Sequence, residues 1–240
     1  MDPLTLVVAA VAAFALAVLS AVAGFGGGVL LLPVFAGLFG LRVAVPVLTI
    51  AQLVSNGSRV AFNHRHLDWA LIRNFAIGAV PTAVIAGIVF VTAPLGGLQR
   101  LLGVFLILSV VWRRMRPSPR APSARGFIGV GAASGVGSAL LGSVGPMTAP
   151  FFLAYGLVKD AYIGTEAASA ITLHAAKLVA YGTGDLLTSR VLVLGAVLAP
   201  ATMAGALVGK HLVRRISDRV FVVLVEAGLV VAGVVLFLDL

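Results

Sequence analysis

Two glycine-rich stretches, Gly24-Phe25-Gly26-Gly27-Gly28 and Gly142-Ser143-Val144-Gly145-Pro146, each precede a short apolar segment. Glycine admits left-handed backbone and lets a ligand approach the main chain closely. A helix that opens after such a break presents unpaired N–H groups and a partial positive charge, which together hold an anion without a full countercharge. Small residues also let helices pack closely, and a single isolated glycine would be read that way. Two matching breaks, each followed by a short segment containing a proline, favour a substrate site instead. Gly26, Gly27, Gly28, Ser143 and Gly145 are its backbone candidates.

Side chains supply a second constellation. Glu166, His174 and Lys177 recur at spacings of eight and three, and Gln52, Asn56 and Arg59 at four and three. At about 100° per residue each set lies on one helix face. An ionisable group at membrane depth costs several kcal/mol, so it faces protein or water and often marks a pathway. Each residue also has a plainer reading: Arg59 snorkels to an interface, Glu166 sits at one, and His174 is a hydrogen-bonded packing residue. Lys177 is the hardest to explain that way, and we expect it to meet substrate or a paired acid. Glu226 has no partner visible in the sequence and reads equally as half of an ion pair or as a proton-relay residue. The loop Asn63-His64-Arg65-His66-Leu67-Asp68-Trp69 offers two histidines and an aspartate, but H-x-H alone is a weak metal pattern, and Trp69 suits a headgroup-level anchor. No metal is expected there.

These residues sit in a chain that is 60% hydrophobic and 10% charged, with a mean hydropathy of +1.13. Soluble domains carry about a quarter charged residues, so a water-soluble fold is excluded. Apolar segments run at 4–23, 29–41, 43–62, 70–93, 98–112, 126–142, 146–158, 161–182, 191–210 and 220–238. Most are long enough to cross about 30 Å of hydrocarbon; 29–41 and 146–158 are not, and read as halves of broken or re-entrant helices. The first segment has no basic region before it and no small-x-small cleavage site, and reads as a retained span. With no cysteine, disulfides, thiolate metal sites and cysteine nucleophiles are all excluded.

The +9 net charge does not indicate nucleic acid, because the basic residues lie in short gaps between apolar segments, where they set topology. The linker 113–125 is rich in Arg and Pro and is expected in the cytoplasm. Alternating sides from there, thirteen of the seventeen Lys and Arg fall on cytoplasmic flanks, Arg42, Arg100 and Arg190 fall opposite, and Lys177 is left inside the membrane. The halves 1–112 and 126–240 also look alike. Gly26-Gly27-Gly28, Pro33 and Gly40 match Ser143-Val144-Gly145, Pro150 and Gly156. Gln52, Asn56 and Arg59 match Ala170, His174 and Lys177; Gly78 and Ala86-Gly87 match Gly195 and Ala204-Gly205. The loop 63–69 lands on the basic side and its counterpart 183–190 on the other, so the repeats are read as inverted. The expected fold is therefore all-α and polytopic, with about 8 transmembrane helices and glycine-broken or re-entrant ones among them.

At Ala23-Gly24-Phe25-Gly26-Gly27-Gly28-Val29-Leu30-Leu31-Leu32-Pro33 with Gly40, the sequence resembles the TauE/SafE sulfite exporter family, also called the toluene-sulfonate uptake permeases. The weaker repeat Gly142 to Pro150 and the His-containing loop ending Leu67-Asp68-Trp69 extend the resemblance over essentially the whole chain. The second break carries Ser143-Val144 where glycines are usual in the family. The resemblance implies a secondary transporter of sulfite, sulfonates or related organosulfur anions; composition and spacing do not identify sulfur.

The expected function is a carrier for a small anion, not an enzyme, with Gly26, Gly27, Gly28, Gln52, Asn56, Arg59, Ser143, Gly145, His174 and Lys177 around a midplane site. There is no Walker A pattern for an ATP-driven engine. An intramembrane hydrolase using Ser138 or Ser143 with His174 as base is the enzymatic alternative, and it requires those groups within hydrogen-bond reach. A passive anion channel would use the same residues. No cofactor is expected; the partners are a small anion and membrane lipid, with a homodimer left open.

Overall fold

The structure, a computed structural model, describes residues 3–22, 28–115, 121–143, 145–157 and 159–212, and single positions at 227, 230, 233, 234, 237 and 238. Gly26, Gly27, Val144, Glu226 and most of the expected last segment lie outside the described residues. Regular structure among those described is helical: α1 (Pro3–Val22), α2 (Gly28–Phe39), α3 (Leu41–Asn63), α4 (Trp69–Thr92), α5 (Leu95–Met115), α6 (Phe127–Leu141), α7 (Gly145–Ala154), α8 (Lys159–Thr183) and α9 (Ser189–Leu212). Short 3-10 turns lie at His64–His66 and Ala124–Gly126.

Each expected apolar segment from 4 to 210 thus forms a helix, with bounds set by local chemistry. Asp68 caps α4 by accepting from the Leu71 N–H at 3.0 Å, so the His-containing loop ends in a helix cap. Segment 146–158 stops early, at Ala154. Gly156 takes a left-handed φ of +104°, its N–H bonds Leu153 O, and the Leu157 N–H bonds Phe152 O. This is the paired closure of a glycine-terminated helix. α6 ends in the same left-handed way, at Gly142 with φ +78°.

The exterior is apolar and the interior holds the polar groups. On α1 Leu4, Val7 and Val11 are exposed, on α4 Ile77, Ile85 and Ile88, and on α9 Leu192, Val193 and Val197, while Gln52, Asn56, Glu166, His174 and Lys177 are buried. In water such a surface would aggregate; in hydrocarbon it is the favoured arrangement. Among the described helices, Trp69–Thr92 meets both the length and the apolar composition of a membrane span, and Leu4–Val18 and Ser189–Gly205 supply shorter apolar helices.

Packing follows a pattern that repeats between the halves. α4 packs most extensively on α6 and also on α8; α9 packs correspondingly on α1 and on α3; α3 and α8 pack on each other. Exchanging the halves maps each contact onto another in the set. The helices α3 and α8 run in opposite directions. One end of the bundle gathers Arg59, Asp68 and Thr165, where the Asp68 N–H donates to Thr165 Oγ1 at 3.0 Å, and Asn74 there bonds Ala124 O beside Arg125. The other end gathers Arg42, which bonds Ala93 O at 2.9 Å, and Gly184, which lies against Val91. α3 therefore runs from the second end to the first and α8 from the first to the second.

The α4–α6 crossing is close enough that a Cβ on Gly131 would meet the Phe75 carbonyl, and one on Gly135 the Ala79 carbonyl. Packing partners pair the other glycines differently from sequence register. Gly78 meets α6 and Gly205 meets α1. Gly87 meets α8 and Gly195 meets α3. The sequence match of Gly78 with Gly195 marks close approaches without marking what approaches.

Candidate functional site

The interior polar groups converge on one cavity. α3 contributes Gln52 and Asn56, one turn apart on the face it turns to α8. α8 contributes Glu166, Ala170, Leu173 and His174 at helical spacing. The end of α6 brings Ser138, the second break brings Ser143 and Gly145, and α7 adds Thr148. Phe75 of α4 and Phe152 of α7, ring centroids 5.9 Å apart, form an apolar wall.

Described residues of both glycine-rich stretches reach this place. Gly145, the first residue of α7, lines the cavity. Gly28, the first residue of α2, is buried so closely against Gln52 Nε2 and the Ser143 side chain that a Cβ would collide with both. The N-terminal ends of two short helices therefore flank Gln52 and Ser143, and each carries orphan N–H groups and a partial positive charge.

The charged residues fall into two arrangements. Arg59 Nη2 lies 3.0 Å from Glu166 Oε2, and Arg59 Nη1 donates to Asn56 Oδ1 at 3.1 Å. The ion pair holds by distance without hydrogen-bond alignment, since Glu166 Oε2 has no hydrogen-bond partner among the described residues. It joins α3 of the first half to α8 of the second, at the bundle end carrying Asp68 and Thr165.

Lys177 is arranged differently. It is fully buried and does not line the cavity. Its Nζ donates to Ser138 Oγ at 3.0 Å, Gly142 O at 3.0 Å and Ser138 O at 3.3 Å. An ammonium has three donors, and three acceptors at the C-terminal end of α6, the negative end of its dipole, engage them. Among the described residues Lys177 meets no acid, and its Nζ caps the end of α6.

His174 is 4% exposed and lines the cavity, yet its Nδ1 has no hydrogen-bond partner among the described residues. Ser138, one of the two nucleophiles of the hydrolase alternative, has Lys177 as its basic neighbour and no hydrogen bond to His174 among the described residues, while Ser143, the other, shares the cavity lining with His174. Of the sequence candidates, Gln52, Asn56, Ser143, Gly145 and His174 thus share the cavity lining, Gly28 adjoins it, Arg59 ties into it through Asn56 and Glu166, and Lys177 stands behind it. Glu166, which its spacing puts on one face with His174 and whose plainer reading is an interfacial group, lines the cavity. Thr148, Phe75 and Phe152 carried no such signal, because a threonine or phenylalanine in an apolar helix looks like packing.

An all-helical build among the described residues, an apolar exterior and a buried polar cavity beside Gly28 and Gly145 are the features of a helical membrane protein. A family model described as Sulfite exporter TauE/SafE matches residues 9–236, nearly the whole chain. The protein belongs to that family, which is one of membrane transporters. No curated protein and no solved structure matches it.

Proposed function

We propose that this protein is a secondary transporter that moves a small anion, sulfite, a sulfonate or a related organosulfur anion, across the cytoplasmic membrane. The observation that carries this reading is the buried His174 Nδ1, without a hydrogen-bond partner among the described residues, in a cavity lined by Gly145 at the start of α7 and adjoined by Gly28 at the start of α2. A buried polar atom without a partner costs about 1–3 kcal/mol, so the site favours an occupant with polar atoms to offer. Backbone N–H groups at the breaks, the amides of Gln52 and Asn56, the hydroxyls of Ser143 and Thr148, and His174 supply hydrogen bonds to an oxyanion.

The two halves act as inverted repeats around this site, and rocking of one against the other exposes it to each side in turn. The exchange-related helix packing and the antiparallel course of α3 and α8 support that arrangement. The linker 113–125 lies in the cytoplasm, because its basic residues continue the cluster at the Arg59 end. The purified protein in proteoliposomes, offered sulfite, small sulfonates, sulfate and inorganic cations, tests the proposal. Saturable, counterflow-capable uptake of sulfite or a sulfonate is expected. Flux that rises linearly with concentration and shows no counterflow would indicate a channel, and movement of cations alone would overturn the anion site.

A further inference from the structure

We propose that the cavity binds a proton on His174 together with its oxyanion, so that anion transport through this protein is coupled to protons. The inference takes the anion site above as given and adds its coupling ion.

An oxyanion offers acceptors only, whereas a neutral imidazole offers one N–H and one lone pair. A neutral His174 can therefore satisfy the anion with at most one nitrogen. Adding a proton gives two donors and a positive charge in a site walled by Phe75 and Phe152, where charge-assisted hydrogen bonds are shorter and stronger than neutral ones. Histidine is also the side chain whose ordinary titration range spans physiological pH.

The charged groups around His174 leave this role to it. On its own helix, Glu166 lines the same cavity but lies 3.0 Å from Arg59 of α3, and that guanidinium is shared with Asn56. Lys177, one turn on, has its donors engaged by Ser138 and Gly142. The lining from α4, α6, the second break and α7 is Phe75, Ser138, Ser143, Gly145, Thr148 and Phe152, with no ionisable acid or base. His174 is thus the lining group that combines burial, a ring nitrogen without a partner among the described residues and the capacity to take up a proton. Proton and anion then reinforce each other's binding, and by linkage the effect is reciprocal. The proton comes from the side that loads the site and leaves, with the anion, on the other; no other bond is made or broken.

The test is calorimetry on the full chain in detergent, titrating methanesulfonate, which stays ionised throughout, and sulfite in parallel. For the wild type, Kd is expected to fall as pH is lowered through the histidine range, by up to about tenfold per unit for one proton. Paired buffers of different ionisation enthalpy should report net proton uptake on binding. His174→Gln should bind more weakly and lose both the slope and the uptake; His174→Asn replaces it if the glutamine variant does not elute as the wild type does. A wild-type Kd for methanesulfonate that is flat in pH, with no proton uptake, overturns the inference on its own and leaves the anion site standing. A slope that survives in the His174 variants also overturns it. Binding of neither anion by the wild type would defeat the anion site, and the coupling with it.

Discussion

Lys177 shows how a charge buried inside the membrane is accommodated. A lysine left inside the membrane must be paired, neutral or solvated, and here it is paired with two carbonyls and a hydroxyl of the α6 end. Lys177→Met would strand those acceptors, at about 1–3 kcal/mol for the buried groups, and should lower the thermal midpoint of the detergent-solubilised protein as well as transport. On charge alone, Lys177→Arg would be expected to retain activity. The site is fully buried and matched to three donors on one atom, so the larger planar guanidinium should not rescue either property. If the arginine variant transported normally at unchanged stability, Lys177 would act as a charge only. Arg59 and Glu166 make the complementary case, because their contact spans the two halves. Arg59→Gln and Glu166→Gln should each impair transport, and the exchanged pair Arg59→Glu with Glu166→Arg should recover part of it. A double-mutant cycle on stability should show coupling within the range of about 0.5–3 kcal/mol typical of contacting residues; strict additivity would mean that the pair is incidental.

At the scale of elements, the glycines divide into two kinds with opposite predicted phenotypes. Gly131 and Gly135 let the backbones of α6 and α4 touch, and a side chain at either would press on a carbonyl that cannot move without separating the helices. Gly131→Leu should therefore reduce the yield of folded, monodisperse protein, as measured by fluorescence-detected size exclusion. Gly28→Ala meets the mobile end of Gln52 and the small Ser143 side chain instead. It should fold, because those groups can shift, and should bind the anion more weakly, because they belong to the site. Normal affinity in Gly28→Ala would assign that glycine to packing. The short helices α2 and α7 are defined by such details: α7 ends where Gly156 closes its last turn, so Gly145 and Thr148 stay at the cavity while Tyr155 is exposed.

For the whole molecule, the two ends of the bundle give the orientation a direct test. Ala121, exposed before the Ala124–Gly126 turn, and Ser189, exposed at the start of α9, belong to opposite ends. In a chain without cysteine, single substitutions label cleanly. With an impermeant maleimide on intact cells, Ser189→Cys should label and Ala121→Cys should label only after permeabilisation. The reverse pattern would place the basic end outside and overturn the cytoplasmic linker.

Periodicity and composition by themselves determined that this chain is helical, where its helices lie, and that two of them are short and follow glycine breaks. The reason is that a lipid solvent demands long apolar helices and penalises every exception, so each exception stands out in the sequence. The grouping of Gln52, Asn56 and His174 on facing helices was legible for the same reason: polar residues in an apolar helix have one face to share. Only the tertiary structure decided which partner each takes. That Lys177 turns to the α6 end while His174 Nδ1, one turn before it, has no hydrogen-bond partner among the described residues depends on the position of Gly142 and Ser138, 35 and 39 residues away in sequence. That Gly28 meets Ser143 depends on how two halves of the chain fold onto each other. Spacing along one helix fixes a direction within a turn, but the contact at the end of that direction is set by packing between segments far apart in the chain.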